Sequence, residues 1–386
     1  MKALIADGEW RPKKGYPVTK EEEAGRSART GSRVWRNTTF EVRDVEVPAL
    51  KDDEVLLRVR VCGVCGSDTH LYEKDEEGYI KFSGLTKLPC ILGHEFSGVV
   101  EKAGSRVNTL KKGDRVVVES IMWCGMCLQC RSGAPNQCGN VELLGLSRNG
   151  AFAEYIAVNA KYCWSINSFF GRYGEEDAFN VGALIEPVGC AYNGMFIAGG
   201  GFKPGAAVAV YGTGPIGLGA VALARASGAS MIIAFDVTDG RMAAAKEMGA
   251  DHSFNINKLA GKTPAEVVLE LTHGEGADMQ VEAAGAAPFT VPEMERSLAV
   301  QGKIIYLGRS DASAPMHFDS LVTGAGHVIG ARGHSGYGIF HSIIRLVSSG
   351  RLDLRQMVAS ILPFESVIEA IKLSSDRNGG KVLVKI

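Results

Sequence analysis

Residues 208–217 read Val-Ala-Val-Tyr-Gly-Thr-Gly-Pro-Ile-Gly, and the reading of this stretch decides the fold. Val208–Tyr211 is a short apolar run of strand type. It leads straight into Gly212-Thr213-Gly214-Pro215-Ile216-Gly217, a G-x-G-x-x-G at a strand-to-helix junction. Gly212 permits the tight turn, Gly214 lets the backbone approach a pyrophosphate, and Gly217 allows close packing of helix on strand. Gly212, Gly214, Pro215, Ile216 and Gly217 are therefore candidate cofactor-binding positions. The phosphates would sit at the helix N-terminus, where free N–H groups and the dipole favour anions. A lone G-x-G-x-x-G can also be an ordinary glycine-rich turn. Here an acid, Asp236, closes the next apolar run, 24 residues after Gly212. That is close to the ~20 residues expected for the group that binds the adenosine ribose diol. Asp236 would repel a 2′-phosphate, which favours NAD over NADP. Arg241, five residues later, keeps the second open.

Working outward, the runs VAVYG, MIIAFD, MQVEAAG and KIIYLG are continuously apolar, as expected of parallel strands buried on both faces. Between them lie helical segments such as GLGAVALARASG and GRMAAAKEMGA. This alternation predicts βαβ units in a doubly wound α/β sheet. Upstream the rhythm differs. Residues 40–50 and 54–63 alternate in the manner of strands, as do Phe96–Glu101 and Arg115–Glu119, so the first part reads as an antiparallel β barrel or sandwich. Residues 338–349 and 364–374 read as helices, and KVLVKI as a final strand. The least patterned stretch is 11–38, which reads as an exposed extension.

The chain has 386 residues, 46% hydrophobic and 22% charged, with net charge -1, so it can bury large cores and shows no electrostatic footprint for nucleic acid or an anionic membrane surface. The N-terminus has too short an apolar stretch for a signal peptide. No apolar run approaches the ~20 residues of a membrane span. Nine cysteines, several clustered at metal spacing, point to metal rather than disulfides and to a reducing cytoplasm.

That cluster is Cys124, Cys127, Cys130 and Cys138, a C-x2-C-x2-C-x7-C. Four thiolates leave no open position, which is the closed, structural kind of zinc site. The bacterial iron–sulfur run differs in its last spacing and in the Pro that follows it. A second set of metal-ligand types is scattered: Cys65 in Cys65-Gly66-Ser67-Asp68-Thr69-His70, then His94-Glu95. Singly, each is as well explained by a core cysteine or a surface pair. Cys62, Cys90, Cys163 and Cys190 read as buried apolar residues.

Together, GVCGSDTH, LGHEFSGVVEKAG, KKGDRV, the four-cysteine lobe, LIEPVGCAYNG and VYGTGPIGL resemble the zinc-dependent medium-chain dehydrogenase/reductase family, in order from about residue 40 to 386. The resemblance implies a GroES-like, β-rich catalytic domain over 1–186 and 331–386, carrying a structural zinc lobe at about 120–140, and a Rossmann domain over 187–330. It implies two zinc ions per chain and NAD. Cys65, His94 and Glu186 would be ligands of the catalytic zinc, with Glu95 the neighbouring acid that binds directly or through water; the four-cysteine lobe would hold the other. A Glu at 186 resembles the sorbitol and threonine dehydrogenase branch, where alcohol dehydrogenases carry Cys. Zinc acts as a Lewis acid on a substrate hydroxyl whose carbon gives hydride to the nicotinamide. Ser67 and His70 match the family's proton relay to solvent, and Asp68 the acid that orients His94.

The segment between Cys65 and His94, LYEKDEEGYIKFSGLTKLPCILG, is rich in Glu, Lys and Tyr. It suits a small polyhydroxylated substrate whose hydroxyls each need a partner, and its DEEGYI…GLT phrase resembles cyclitol (inosose-type) dehydrogenases; the alternative is a solvated surface loop. The expected activity is NAD-dependent oxidation of a secondary alcohol of a polyol or cyclitol. The alternatives are an L-threonine or simple secondary-alcohol dehydrogenase, or a non-redox zinc-containing homologue. By resemblance, a homodimer or homotetramer is expected.

Overall fold

The computed structural model describes residues 1–386 apart from 311 and 378. Contacts divide the chain into two compact units, one of residues 1–186, 360–377 and 381–386, the other of 187–359 and 378–380. Residues 331–359 thus pack with the second unit, where the sequence reading assigned them to the first. The reason is local. Helix Ile339–Ser348 buries Ile339, Phe340, Ile343, Ile344 and Val347 along one face, and Phe340 lies against His334 and beside Gly189.

The first unit is built on an antiparallel sheet. Its order runs Cys163–Ser165, Arg115–Val118, Glu95–Ala103, Glu54–Gly63, Lys381–Lys385 and Val358–Pro363, with Tyr155–Asn159 also paired to Glu54–Gly63. In Glu54–Gly63 Leu57 and Val59 are buried while Arg58 is exposed, the period-two pattern of a half-buried strand. Leu57, Val59, Phe96, Val100, Val116, Phe152, Ile156 and Val158 share one core. Two strand readings shift. Strand Trp35–Asp44 starts earlier than expected, and residues 45–50 are not strand; Pro48 in that stretch has no N–H to give a ladder. Strand Lys2–Trp10, which the sequence reading missed, pairs antiparallel with Trp35–Asp44 and with Cys90–Ile91.

Residues 11–38 are not a loose extension. Helix Lys20–Gly25 begins with a reciprocal cap between Thr19 and Glu22. Glu22, almost wholly buried, also accepts from Arg29 N at 2.8 Å and Tyr16 Oη at 3.0 Å. Ser27–Ala28 pairs with Thr86–Lys87. Trp35 Nε1 donates to Thr86 O at 3.0 Å, and Lys13 bonds Asp75 at 2.7 Å while lying over the Tyr79 ring. The segment straps the polar stretch between Cys65 and His94. Strapped in this way, Tyr79, Ile80, Thr86 and Leu88 of that stretch are buried.

The second unit holds a six-stranded parallel sheet in the order His252–Asn255, Met231–Asp236, Ala207–Tyr211, Ala277–Glu282, Leu298–Tyr306, His327–Gly330. The chain winds one way from Ala207–Tyr211 and then the other, so the switch point falls at the strand that feeds the glycine loop. Ligands of doubly wound sheets bind at such points. Tyr211, Phe235, Val268, Met294 and Ile304 belong to one core. Among the described residues no single helix is long and apolar enough to cross a membrane.

Candidate active site

The glycine loop has the geometry its spacing implied. Gly212 lies at φ +87°, a left-handed conformation, and a Cβ there would strike Ala284. A Cβ on Gly217 would sit 1.9 Å from Gly212 O, so only glycine lets this helix turn pack on the loop. A Cβ on Gly214, by contrast, would meet nothing nearer than Arg241 Nη2 at 4.0 Å. That open approach is what a pyrophosphate needs. Gly214 caps helix Pro215–Ala226, with Pro215 in its first turn, where a missing N–H costs nothing. Asp236 closes its strand nearly buried, and its Oδ2 accepts from Thr213 N at 2.7 Å and Thr213 Oγ1 at 3.2 Å. Arg241 Nη1 lies 3.4 Å from the same oxygen. The acid therefore ties the loop to the second strand, and Arg241 partly offsets its charge. Thr213, which sequence reasoning passed over, is the hinge of that tie.

The four cysteines form one cluster, with sulfurs all within 4.8 Å of one another. Cys127 Sγ and Cys138 Sγ are 3.8 Å apart, and a tetrahedral ion with Zn–S bonds of ~2.3 Å needs an edge of about 3.8 Å. Backbone N–H groups of Met126 and Cys127 donate to Cys124 Sγ, and those of Cys124 and Asn140 to Cys138 Sγ. Such donors favour thiolate, and with the Cys138 and Asn140 side chains they hold the Cys124 thiol down at about 6. All nine cysteines are free. The donor set fits a structural metal.

The second group lies entirely in the first unit. Cys65, His94 and Glu95 each offer a ligand atom within 4.8 Å of the others. Cys65 caps helix Gly66–Tyr72, and its N–H donates to Asp68 Oδ2 at 2.9 Å. Asp68 is wholly buried, which pushes its carboxyl up, and its Oδ1 lies 3.9 Å from His94 Nδ1. Neither of these two atoms has a hydrogen bond. Burial pulls the His94 pKa down, but the charges of Cys65 and Asp68 reverse this and leave it well above the usual value. Ser67 Oγ is 3.2 Å from His94 Nε2. A half-buried thiol beside a buried imidazole and carboxylate, in such a field, fits a divalent cation.

Glu186 lies outside that tight group. It occupies the first turn of helix Ile185–Tyr192, and its Oε1 accepts from Ser120 Oγ at 2.8 Å. Its charge is nonetheless felt by His94, Glu95 and Lys381. Lys381 was missed in the sequence. Only 2% of its side chain is exposed, and Nζ donates to Glu95 Oε2 at 2.5 Å and to Val64 O at 2.9 Å. Burial works against its charge, but Glu95 above all, with Cys65, outweighs this and raises its pKa. Burial raises Glu95 as well, against the opposing pull of Lys381. Ser120 and Lys381 carried no local signal, because their partners lie 66 and 286 residues away. His70 Nε2 meets Arg377 Nη2 at 3.3 Å, and Arg377 also approaches Glu73. Of the cysteines read as core, Cys62 and Cys90 are buried while Cys163 and Cys190 are half-buried.

Comparison with known proteins gives these features their place. Residues 51–168 match the alcohol dehydrogenase GroES-like domain family, and 215–349 the zinc-binding dehydrogenase family. The chain belongs to the zinc-binding alcohol dehydrogenase family. It is an oxidoreductase acting on alcohols, with a GroES-like domain and a Rossmann domain, and its family uses zinc and a nicotinamide cofactor. It is 38% identical to scyllo-inosose 3-dehydrogenase of Thermotoga maritima, over 99% of each chain. With L-threonine 3-dehydrogenase of Bacillus subtilis it shares 32% identity, over 88% of this chain and 93% of the relative. Among solved structures, one from Thermotoga maritima, provisionally assigned as an alcohol dehydrogenase, superposes with TM-score 0.95 at 36% identity over the whole of both chains.

Proposed function

We propose that this protein oxidises a secondary hydroxyl of a cyclitol or related polyol and passes the hydride to NAD. The observation that carries the reading is the likeness, end to end, to a scyllo-inosose dehydrogenase. The polar side chains Glu73 and Lys81 of the strapped segment support it, because a polyhydroxylated substrate needs polar partners.

Cys65, His94 and Glu186 would hold the catalytic zinc, with Glu95 adjoining, and the four cysteines the structural zinc. Zinc bound there supplies a Lewis acid that makes the substrate hydroxyl acidic, and NAD supplies the hydride acceptor. The residues of the chain do the rest. Asp68 sets the field around His94. Ser67 Oγ lies 3.2 Å from His94 Nε2 and would take the substrate proton first. His70 would carry that proton outward, held by Arg377. Gly212, Gly214, Pro215, Ile216 and Gly217 would receive the pyrophosphate. Asp236 would hold the ribose diol and so select NAD over a 2′-phosphorylated cofactor, with Arg241 tempering that preference.

Nine free cysteines suit a reducing cytoplasm. Exposed Val300, Phe318, Val322 and Val328 on the last two strands of the parallel sheet and the helix between them suit a homo-oligomer. NADH formation over a panel of cyclitols, open-chain polyols and L-threonine tests the reading. Preferred turnover of an inositol or inosose is expected; turnover of L-threonine alone would favour the activity of the Bacillus subtilis relative.

A further inference from the structure

We propose that Arg377 is a positioning residue for His70, keeping the ring neutral with its hydrogen on Nδ1 and ready to accept a proton at Nε2. The inference rests on the reading that His70 carries the substrate proton outward, and it names what sets the state of that ring. Arg377 Nη2 donates to His70 Nε2 at 3.3 Å. A guanidinium has donors only and stays charged throughout the working pH range. Nε2 therefore supplies the lone pair, which leaves the neutral ring its hydrogen on Nδ1.

The fold strains its backbone to put an arginine there. Helix Val367–Ser375 packs on helix Gly66–Tyr72, which carries His70, and Leu71, Val367, Ala370 and Ile371 share one core. Arg377 follows the end of the first helix at φ +54°. Left-handed backbone past a helix end usually falls on Gly or Asn, which adopt it most easily. Glycine would hold this turn without strain, but it has no side chain to reach His70.

The surroundings give the guanidinium a second partner. The same Nη2 is 3.7 Å from Glu73 Oε2, and Lys81 Nζ is 3.3 Å from that oxygen. Lys81 N and Phe82 N donate to His70 O at 2.9 and 3.2 Å, which ties this pair to the backbone of the histidine. When Nε2 takes a proton its lone pair is gone, and Arg377 falls back on Glu73. The charge beside it disfavours the imidazolium, which gives a proton to water, and Arg377 favours the loss that frees Nε2 again. One proton enters and one leaves.

Other charges around the ring are engaged elsewhere or face solvent. Asp68, on the same helix, is buried and accepts from Cys65 N. Asp75 is taken by Lys13. Glu369, Lys372 and Asp376, on and just after the packed helix, are exposed. Strand Trp35–Asp44 meets the His70 helix through Thr38 and Phe40, which carry no charge.

The test follows the ring itself in zinc-replete protein, by long-range proton–nitrogen correlation signals identified through their loss in H70Q. The acid limb of kcat is measured alongside. In the parent the neutral ring should carry its hydrogen on Nδ1. R377M should move the ring's titration to higher pH by about one unit, the low end of what a neighbouring charge does and suited to a half-exposed pair. The acid limb should move with it. R377K, which keeps charge and donor, should stay near the parent, and E73Q should shift the titration the opposite way. K372M, which removes an exposed cation from the same helix, should leave the ring unmoved. An unmoved ring in R377M, an Nε2–H tautomer in the parent, or equal shifts in R377M and K372M would overturn the inference. The relay reading fails separately. An acid limb that persists unchanged in H70Q refutes that reading and the inference with it. A limb lost in H70Q with an unmoved ring in R377M refutes the inference alone.

Discussion

The two metal-binding groups of this chain are assembled in opposite ways. The four-cysteine lobe is written in fifteen consecutive residues, 124–138. Its sulfurs are steadied by backbone N–H groups of the same loop. The other group draws Cys65, His94–Glu95 and Glu186 from separate segments and is surrounded by side chains that hold the would-be ligands: Asp68 by His94, Ser120 on Glu186, Lys381 on Glu95. A local loop can satisfy itself and close. A site that must leave room for substrate needs distant residues to hold its ligands apart.

The sharpest way to break this contrast is to remove one ligand from each group. H94A should lower kcat/KM by at least about a thousandfold, a loss of ~4 kcal/mol of transition-state stabilisation, while the four-cysteine zinc stays bound. C127S should instead lose stability, because binding energy at a structural site is folding energy. Its folded fraction should still turn over substrate, as activity per folded molecule in a thermal-melt series would show. Equal effects from the two changes would erase the distinction.

A smaller effect sharpens the role of the surrounding shell. S120A removes the hydroxyl that holds Glu186 and should weaken catalytic-site zinc about tenfold, with no change at the cysteine lobe; chelator titration separates the two. At the cofactor site, D236N should raise the KM for NAD about tenfold, the worth of one hydrogen bond to a charged group, and should narrow the preference over NADP. An unchanged KM would remove Asp236 from the ribose.

The smallest effect concerns thiol reactivity after chelation. A pKa held down at about 6 means that Cys124 is thiolate above that pH, whereas burial pushes Cys90 up to about 12 and keeps it a thiol. Alkylation at neutral pH should therefore reach Cys124 first, slow as the pH falls through 6, and spare Cys90; mass spectrometry of timed samples reads the order.

Much of this was legible in the sequence, and the reason is range. The glycine loop, the parallel strands and the cysteine spacing are local patterns, and the structure keeps them. The parallel strands end within a few residues of where their apolar runs placed them, although Leu298–Tyr306 starts five residues ahead of its KIIYLG run. Lys2–Trp10 was missed because its partners lie far along the chain. Residues 11–38 looked unpatterned because their order comes from pairing with the stretch around Thr86. Lys381 reads as one of two lysines flanking an apolar strand core until Glu95 is brought against it. Side chains that act by holding others leave no spacing to read.

The account turns on the claim that catalysis belongs to the scattered group and that the lobe is scaffold. Partial chelation of the zinc-replete protein, with zinc per chain and NADH formation followed together, tests it most directly. Activity should fall in proportion to the first zinc lost and vanish while one zinc per chain remains, held by the four cysteines. Full activity with only that zinc present would contradict the claim.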